Sequence, residues 1–274
     1  MTDDRLIDVP GAGLFARSAG DGPPVVLLHA GIVDSRVWDP FVPLLTEAGL
    51  RVISYDARGY GRSATDDVEY SDQADLIAVL DAFGVKRACL VGNSRGAMIA
   101  FDTAVEHPER VAGVVLLGGH ISGHEPESTP EEAVIEAELE ALEHAGDAEG
   151  LAEFELVLWG CGVGQPADRM PAGVREFLRP MILAAEDPTR IRGRAVELDP
   201  PAAQRLAAAT MPIVVVAGEL DMSYVAATGE FLERSLPNAR LVRLPNVAHL
   251  VAVEAPEQTA ELVIDLVRGL EPLA

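Results

Sequence analysis

Ser94 stands between Gly92 and Gly96 in "LVGNSRGAMIA", where an apolar run gives way to a small-residue helical pattern. A side chain at a sharp strand-to-helix turn points up and outward from a sheet. The backbone there is strained, so its neighbours must be small. The same turn puts the hydroxyl at the positive end of a helix, where backbone N–H groups favour developing negative charge. A serine so placed is a candidate nucleophile of the Gly-x-Ser-x-Gly elbow type. The string alone arises often by chance. Its position after "ACLV" and before an amphipathic helix gives it weight.

A serine hydroxyl attacks poorly without a base. The base should be a histidine, held in place by a carboxylate. Of the six histidines, His29 ends an early strand and reads as a turn-fixing residue. His107 precedes a proline at a helix end, and His144 lies near another helix end. His120 and His124 follow an apolar strand and suit the lining of a pocket. His249, in "LPNVAHLVAVEAPEQ" between the last strand and the closing helix, is the expected base. Asp221, in "VVVAGELDMSY", is the expected acid, with Glu219 as its rival two residues earlier. Donors for an oxyanion are expected from the backbone N–H groups of Gly31 and Arg95, with Ile32 as the alternative to Gly31. "YDARGYGRS" lacks the lysine of a P-loop and the spacing of a dinucleotide fingerprint, so it reads as a structural turn.

These residues need strands and helices to carry them. Short apolar runs predict strands at 24–29, 51–56, 88–92, 111–119, 212–218 and 239–245. Helices are expected between them: 39–49, one capped by Ser71 and stopped at Gly84, and one ended near Pro108. Strands spaced in this way imply a parallel sheet covered on both faces. The rhythm breaks from about His120 to Thr210, where helix signals appear and no convincing strand. Thr129, Pro130 and Glu132 form a helix start with a capping box. A later helix should be kinked by Pro180 and carries Val174, Phe177, Leu178, Met181, Ile182 and Ala185 on one face. Between Glu125 and Glu155 there are twelve acids and no Lys or Arg, which reads as a solvated face. Such an insertion should cover the strand ends where open α/β sheets hold ligands. Ile32, His120 and Trp159 are the expected substrate contacts, with Phe154, Phe177 and Met181 as further apolar lining.

The formal charge of −23 argues against nucleic acid and anionic membrane surfaces as partners. A small-molecule substrate is the one partner expected, and no metal or cofactor. Hydrophobic content is 49%, without a run long enough to cross a membrane. The acidic start "MTDDRLIDVP" does not read as a signal peptide, so a cytoplasmic setting is expected. Cys89 and Cys161 lie far apart and suit neither a disulfide framework nor a zinc site.

Taken together, "HAG", "DARGYGRS", "GNSRGA", "GELD" and "NVAHL" resemble the α/β-hydrolase superfamily, in order and in spacing. The resemblance implies an α/β fold: an eight-stranded, mostly parallel sheet flanked by helices. Residues 1–119 and 211–274 would form its core, and 120–210 a helical cap inserted between strands six and seven. It also implies Ser94 as nucleophile, Asp221 as acid, His249 as base, and an oxyanion hole near Gly31 and Arg95. Arg95 departs from the Met or Leu usual beside the nucleophile; it would either pair with an acid or favour an anionic substrate group. The expected activity is hydrolysis of a small ester, lactone or thioester through an acyl-enzyme. The alternatives are a carbon–carbon bond hydrolase of the meta-cleavage type, whose "GNSMG" is similar to "GNSRG", and a non-hydrolytic binding protein on the same fold. Dehalogenase chemistry in its usual form is excluded, because it places Asp where Ser94 stands.

Overall fold

Alternation of side chains explains how the sheet is covered. In the computed structural model, which describes residues 2–270, strand β3 (Pro24–Leu28) sends Val26 and Leu28 into one hydrophobic core and Val25 and Leu27 into another. Both faces are therefore apolar, as a strand buried between two helical layers requires. The same holds for β4 (Arg51–Tyr55), β5 (Ala88–Asn93), β6 (Val111–Leu117) and β7 (Ile213–Gly218). The last strand is β8 (Ala239–Leu244).

Two strands precede these that no apolar run announces. β1 (Asp3–Val9) and β2 (Ala12–Ala19) form an antiparallel hairpin, with Asp3 opposite Ser18 and Val9 opposite Ala12. Ile7 is the only buried residue of β1, so the strand carries little apolar pattern. The sheet order is β1-β2-β4-β3-β5-β6-β7-β8, parallel from β4 onward. The short strand Ala64–Thr65 pairs with β2 and makes the ninth member.

Helices α2 (Asp72–Ala82) and α3 (Arg95–Glu106) cover one face. Ser71 caps α2 by accepting the N–H of Ala74, and Gly84 follows its end. Helix α1 (Val42–Glu47) contributes to the other face; it begins three residues later than the 39–49 reading, because 39–41 form turns off a preceding short 3-10 helix.

Between β6 and β7 the chain makes a long helical excursion: α4 (Pro130–Ala145), α5 (Ala148–Cys161) and α6 (Ala172–Ala185). The capping box of Thr129 and Glu132 is formed as the sequence indicates. Helix α6 runs without interruption past Pro180. The absence of a strand here is corrected: Arg194–Ala195 pairs in parallel with Glu69–Tyr70, a two-residue ladder too short to leave a sequence pattern. The feet of the excursion are tied together. Ala202 donates its N–H to Ser122 Oγ at 2.9 Å, and Ala203 donates to the Ser122 carbonyl at 3.0 Å. Beyond β7, helix α7 (Ser223–Ser235) packs on the sheet, and α8 (Val251–Glu254) and α9 (Pro256–Arg268) close the described chain. Among the described residues no helix is long and apolar enough to cross a membrane.

Candidate active site

The turn after β5 is held by close packing. Ser94 has φ 55° and ψ −117°, a conformation that L-residues adopt only under constraint. A Cβ on Gly92 would lie 2.1 Å from the Gly96 carbonyl oxygen, and one on Gly96 would lie 2.2 Å from that of Leu28. Backbone contact, rather than dihedral freedom, therefore demands glycine at both positions. Arg95 opens α3, so its N–H stands outside the helix's internal hydrogen-bond ladder.

Asp221 lies in the turn after β7, and His249 in the loop after β8. Both oxygens of the Asp221 carboxylate lie 2.9 Å from His249 Nδ1. Asp221 Oδ1 also accepts the N–H of Met222 at 2.8 Å. The two side chains are 1% and 3% exposed, so solvent does not compete for the pair. A carboxylate at Nδ1 keeps the proton on that nitrogen and leaves Nε2 as the basic one. Glu219 is exposed and takes no part in this contact.

A cavity of about 200 Å³ brings the sequence-indicated residues together. Ser94, His249 and the loop of Gly31 and Ile32 border it, with Arg95 beside them. The expected contacts His120 and Trp159 border it too. The Trp159 ring lies over His249, with centroids 4.5 Å apart and planes at 43°. Burial, reinforced by His249, holds the His120 imidazole below the usual histidine range, so it is neutral near pH 7.

Arg95 resolves toward an acid. Its Nη2 donates to both oxygens of Asp72, at 2.7 and 3.0 Å, and its guanidinium carbon stands 5.5 Å from the Tyr60 ring centre. His29 fixes a turn: Nδ1 donates to the Ala30 carbonyl at 2.8 Å and Nε2 accepts the N–H of Ala57 at 3.0 Å. His124 stacks on Phe231 at 4.2 Å, away from the cavity.

Besides His124, three expected apolar lining residues are corrected. Met181 is buried in the core beneath the excursion with Leu156 and Leu178, and Phe177 packs against that core. Phe154 is half-buried and does not border the cavity. On α5 the face toward the site is that of Glu155 and Trp159, four residues apart and one helical turn. Phe154, one residue earlier, is rotated about 100° from it.

The sequence reading missed Met98, Glu155 and Tyr224, which also border the cavity. The spacing to Trp159 is the signal that would have found Glu155. Its side chain is buried and accepts no hydrogen bond among the described residues. Burial, with Glu186 and Glu143 nearby, pushes its carboxyl up to about 8. Met98 and His120 also border an adjoining cleft of about 550 Å³. There Ser122 Oγ donates to Asp102 at 2.6 Å, and burial pushes the Asp102 carboxyl up to about 6.

A match to the alpha/beta hydrolase family spans residues 25–262. Epoxide hydrolase B of Mycobacterium tuberculosis (strain ATCC 25618 / H37Rv) is 41% identical over 107 residues, 37% of this chain and 30% of that relative. The chain thus spans under a third of that protein in the matched segment. Rhodomycin D methylesterase DauP of Streptomyces sp. (strain C5) is 28% identical over 298 residues, 94% of this chain and 96% of that relative. A solved structure described as an N-acyl homoserine lactone degrading enzyme superposes with a TM-score of 0.70 at 26% identity, covering 94% of this chain and 98% of that one.

Proposed function

Since the chain belongs to the alpha/beta hydrolase family, we propose that it is a serine hydrolase of small carboxylic esters, lactones or thioesters, acting through an acyl-enzyme on Ser94. The observation that carries this reading is the contact of both Asp221 oxygens with His249 Nδ1, on the cavity that Ser94 borders. His249 Nε2 takes the proton from Ser94 Oγ as the oxygen attacks the acyl carbon. The oxyanion receives hydrogen bonds from the backbone N–H groups of Arg95 and of Gly31 or Ile32. The imidazolium then returns its proton to the departing alkoxide or thiolate. Water, activated by the same nitrogen, releases the acid and frees Ser94.

Ile32, Met98 and Trp159 give the cavity an apolar wall, which suits a short acyl or ring group. The full-length similarity to a methylesterase supports ester chemistry. Epoxide opening fits this site poorly. Attack by a serine oxygen on an epoxide carbon would leave an ether, which water and a histidine base do not cleave.

Short p-nitrophenyl esters and a fluorophosphonate probe test the proposal, with Ser94→Ala alongside. Turnover and labelling are expected in the parent, and Ser94→Ala should lose both, with kcat down by about a thousandfold or more. A parent that neither labels nor turns over sinks the proposal; labelling that survives Ser94→Ala sinks the choice of residue.

A further inference from the structure

The wall of the cavity contains a carboxyl group that the acyl-transfer steps do not use. Glu155, on α5, is 8% exposed, and its Oε2 has neither solvent contact nor a hydrogen-bond partner among the described residues. It borders the same cavity as Ser94 and His249, one helical turn before the Trp159 that covers His249. A buried polar atom left unpaired costs about 1–3 kcal/mol, so nearly all such atoms in proteins have a partner. Among the described residues the only other cavity residue with an unpaired buried atom is Arg95, through Nη1. Arg95 already has Asp72 as its ion-pair partner and lies over Tyr60, whereas Glu155 makes no ion pair, and its Oε2 no hydrogen bond, among the described residues.

We propose that Glu155 is a specificity-determining residue that hydrogen-bonds, as a neutral carboxylic acid, an uncharged acceptor oxygen in the substrate beyond the scissile ester. This rests on the hydrolase reading above and narrows its substrate class to esters bearing an ether, ketone or amide oxygen. Two observations make the carboxyl neutral near pH 7. It is buried, and the charges that act on it are mainly the acids Glu186 and Glu143, opposed by Arg192 alone. On the cavity side, His120 is itself held neutral. A protonated carboxyl is a hydrogen-bond donor, which a carboxylate is not. A site with one buried polar group rejects the analogue that leaves that group unpaired, more strongly than an apolar site rejects a missing methylene.

The test compares ester pairs that differ by one CH2 to O exchange. On the acyl side these are p-nitrophenyl pentanoate and p-nitrophenyl 3-methoxypropanoate; on the alcohol side, butyl acetate and 2-methoxyethyl acetate. Parent, Glu155→Gln and Glu155→Leu are assayed for kcat/KM, and the ether-to-alkyl ratio is read within each protein, which cancels intrinsic reactivity. In one of the two pairs the parent ratio should exceed that of Glu155→Leu by about tenfold, mostly through KM. Glu155→Gln, which keeps a donor and the shape, should retain the parent ratio. Ratios equal in all three proteins for both pairs overturn the assignment. A Glu155→Gln that behaves as Glu155→Leu also overturns it, because a neutral donor of the same shape then fails to reproduce the preference. Fluorophosphonate labelling of each protein separates the two readings. Normal labelling with unchanged ratios removes the role of Glu155 and leaves that of Ser94. A parent that neither labels nor hydrolyses removes both.

Discussion

Asn93, the residue before the serine, holds the backbone of His249. Its Nδ2 donates to the His249 carbonyl and to the Leu117 carbonyl, each at 3.0 Å. One amide thus joins the ends of β5 and β6 to the loop after β8. Asn93→Ala leaves both buried carbonyls without this donor and should cost about 1–3 kcal/mol of stability. It should also lower kcat more than it raises KM, because the imidazole's seat is loosened while the cavity wall is kept. Urea unfolding and steady-state kinetics on a p-nitrophenyl ester check both. An unchanged kcat would show that the histidine loop is held by other contacts.

Asp221→Asn keeps the shape of the pair and removes the charge. The amide can present an N–H to His249 and so favour the wrong tautomer. In the Ser-His-Asp triad of serine proteases the equivalent change costs about ten-thousandfold in kcat. A loss of that order, with the melting temperature little changed, is expected here; Glu219→Gln should leave kcat near that of the parent. If Glu219→Gln has the larger effect, the acid has been misassigned.

Two glycines separate steric from conformational demand. A Cβ on Gly96 would meet the Leu28 carbonyl at 2.2 Å, whereas one on Gly84, at φ 66°, would meet nothing within 4 Å. Gly84→Ala should cost about 1 kcal/mol through its backbone conformation. Gly96→Ala forces the elbow off β3 and should cost about 3 kcal/mol or more, with loss of fluorophosphonate labelling. Equal stabilities for the two variants, measured by denaturant titration, would contradict the packing described for the elbow.

Glu155 should leave a signature in the pH dependence of stability. Its carboxyl stands near 8 when folded, against an ordinary 4.5. Between those values the folded state holds a proton that the unfolded state has lost, so its contribution falls as pH rises through the window. Glu155→Gln does not titrate. Its stability relative to the parent should therefore rise from about pH 5 to about pH 8 and level off above, by at most about 5 kcal/mol. A difference that is flat across the window would show that the buried carboxyl ionises normally.

What the sequence made legible follows from local physics. Ser94, Asp221 and His249 each follow a strand, and two of those strands are buried throughout; the pattern of runs and glycines therefore marks their places. β1 was hidden because only Ile7 is buried in it, and the pair Arg194–Ala195 is too short to show any period. The cavity wall was harder. Along α5 apolar residues face the core, neighbouring helices and the cavity alike, so hydrophobicity did not separate Trp159, which faces the site, from Phe154, which does not. Glu155 was read as part of a solvated acidic run because burial is a tertiary fact, and one acid among twelve carries no mark of it.

The tie between Ser122 and Ala202–Ala203 has a consequence for how this scaffold can change. It joins residues 80 apart in the chain at hydrogen-bond distance. A segment whose two feet are already together has paid for loop closure, and further length adds to that cost only logarithmically. On length alone the helices between the feet tolerate resizing, provided that the contacts of Glu132 with Ser223, Arg169 with Glu254 and Arg190 with Gly61 are kept. Of the cavity wall, Glu155 and Trp159 can thereby vary with the excursion, while Ile32, Met98 and Tyr224 stay with the sheet.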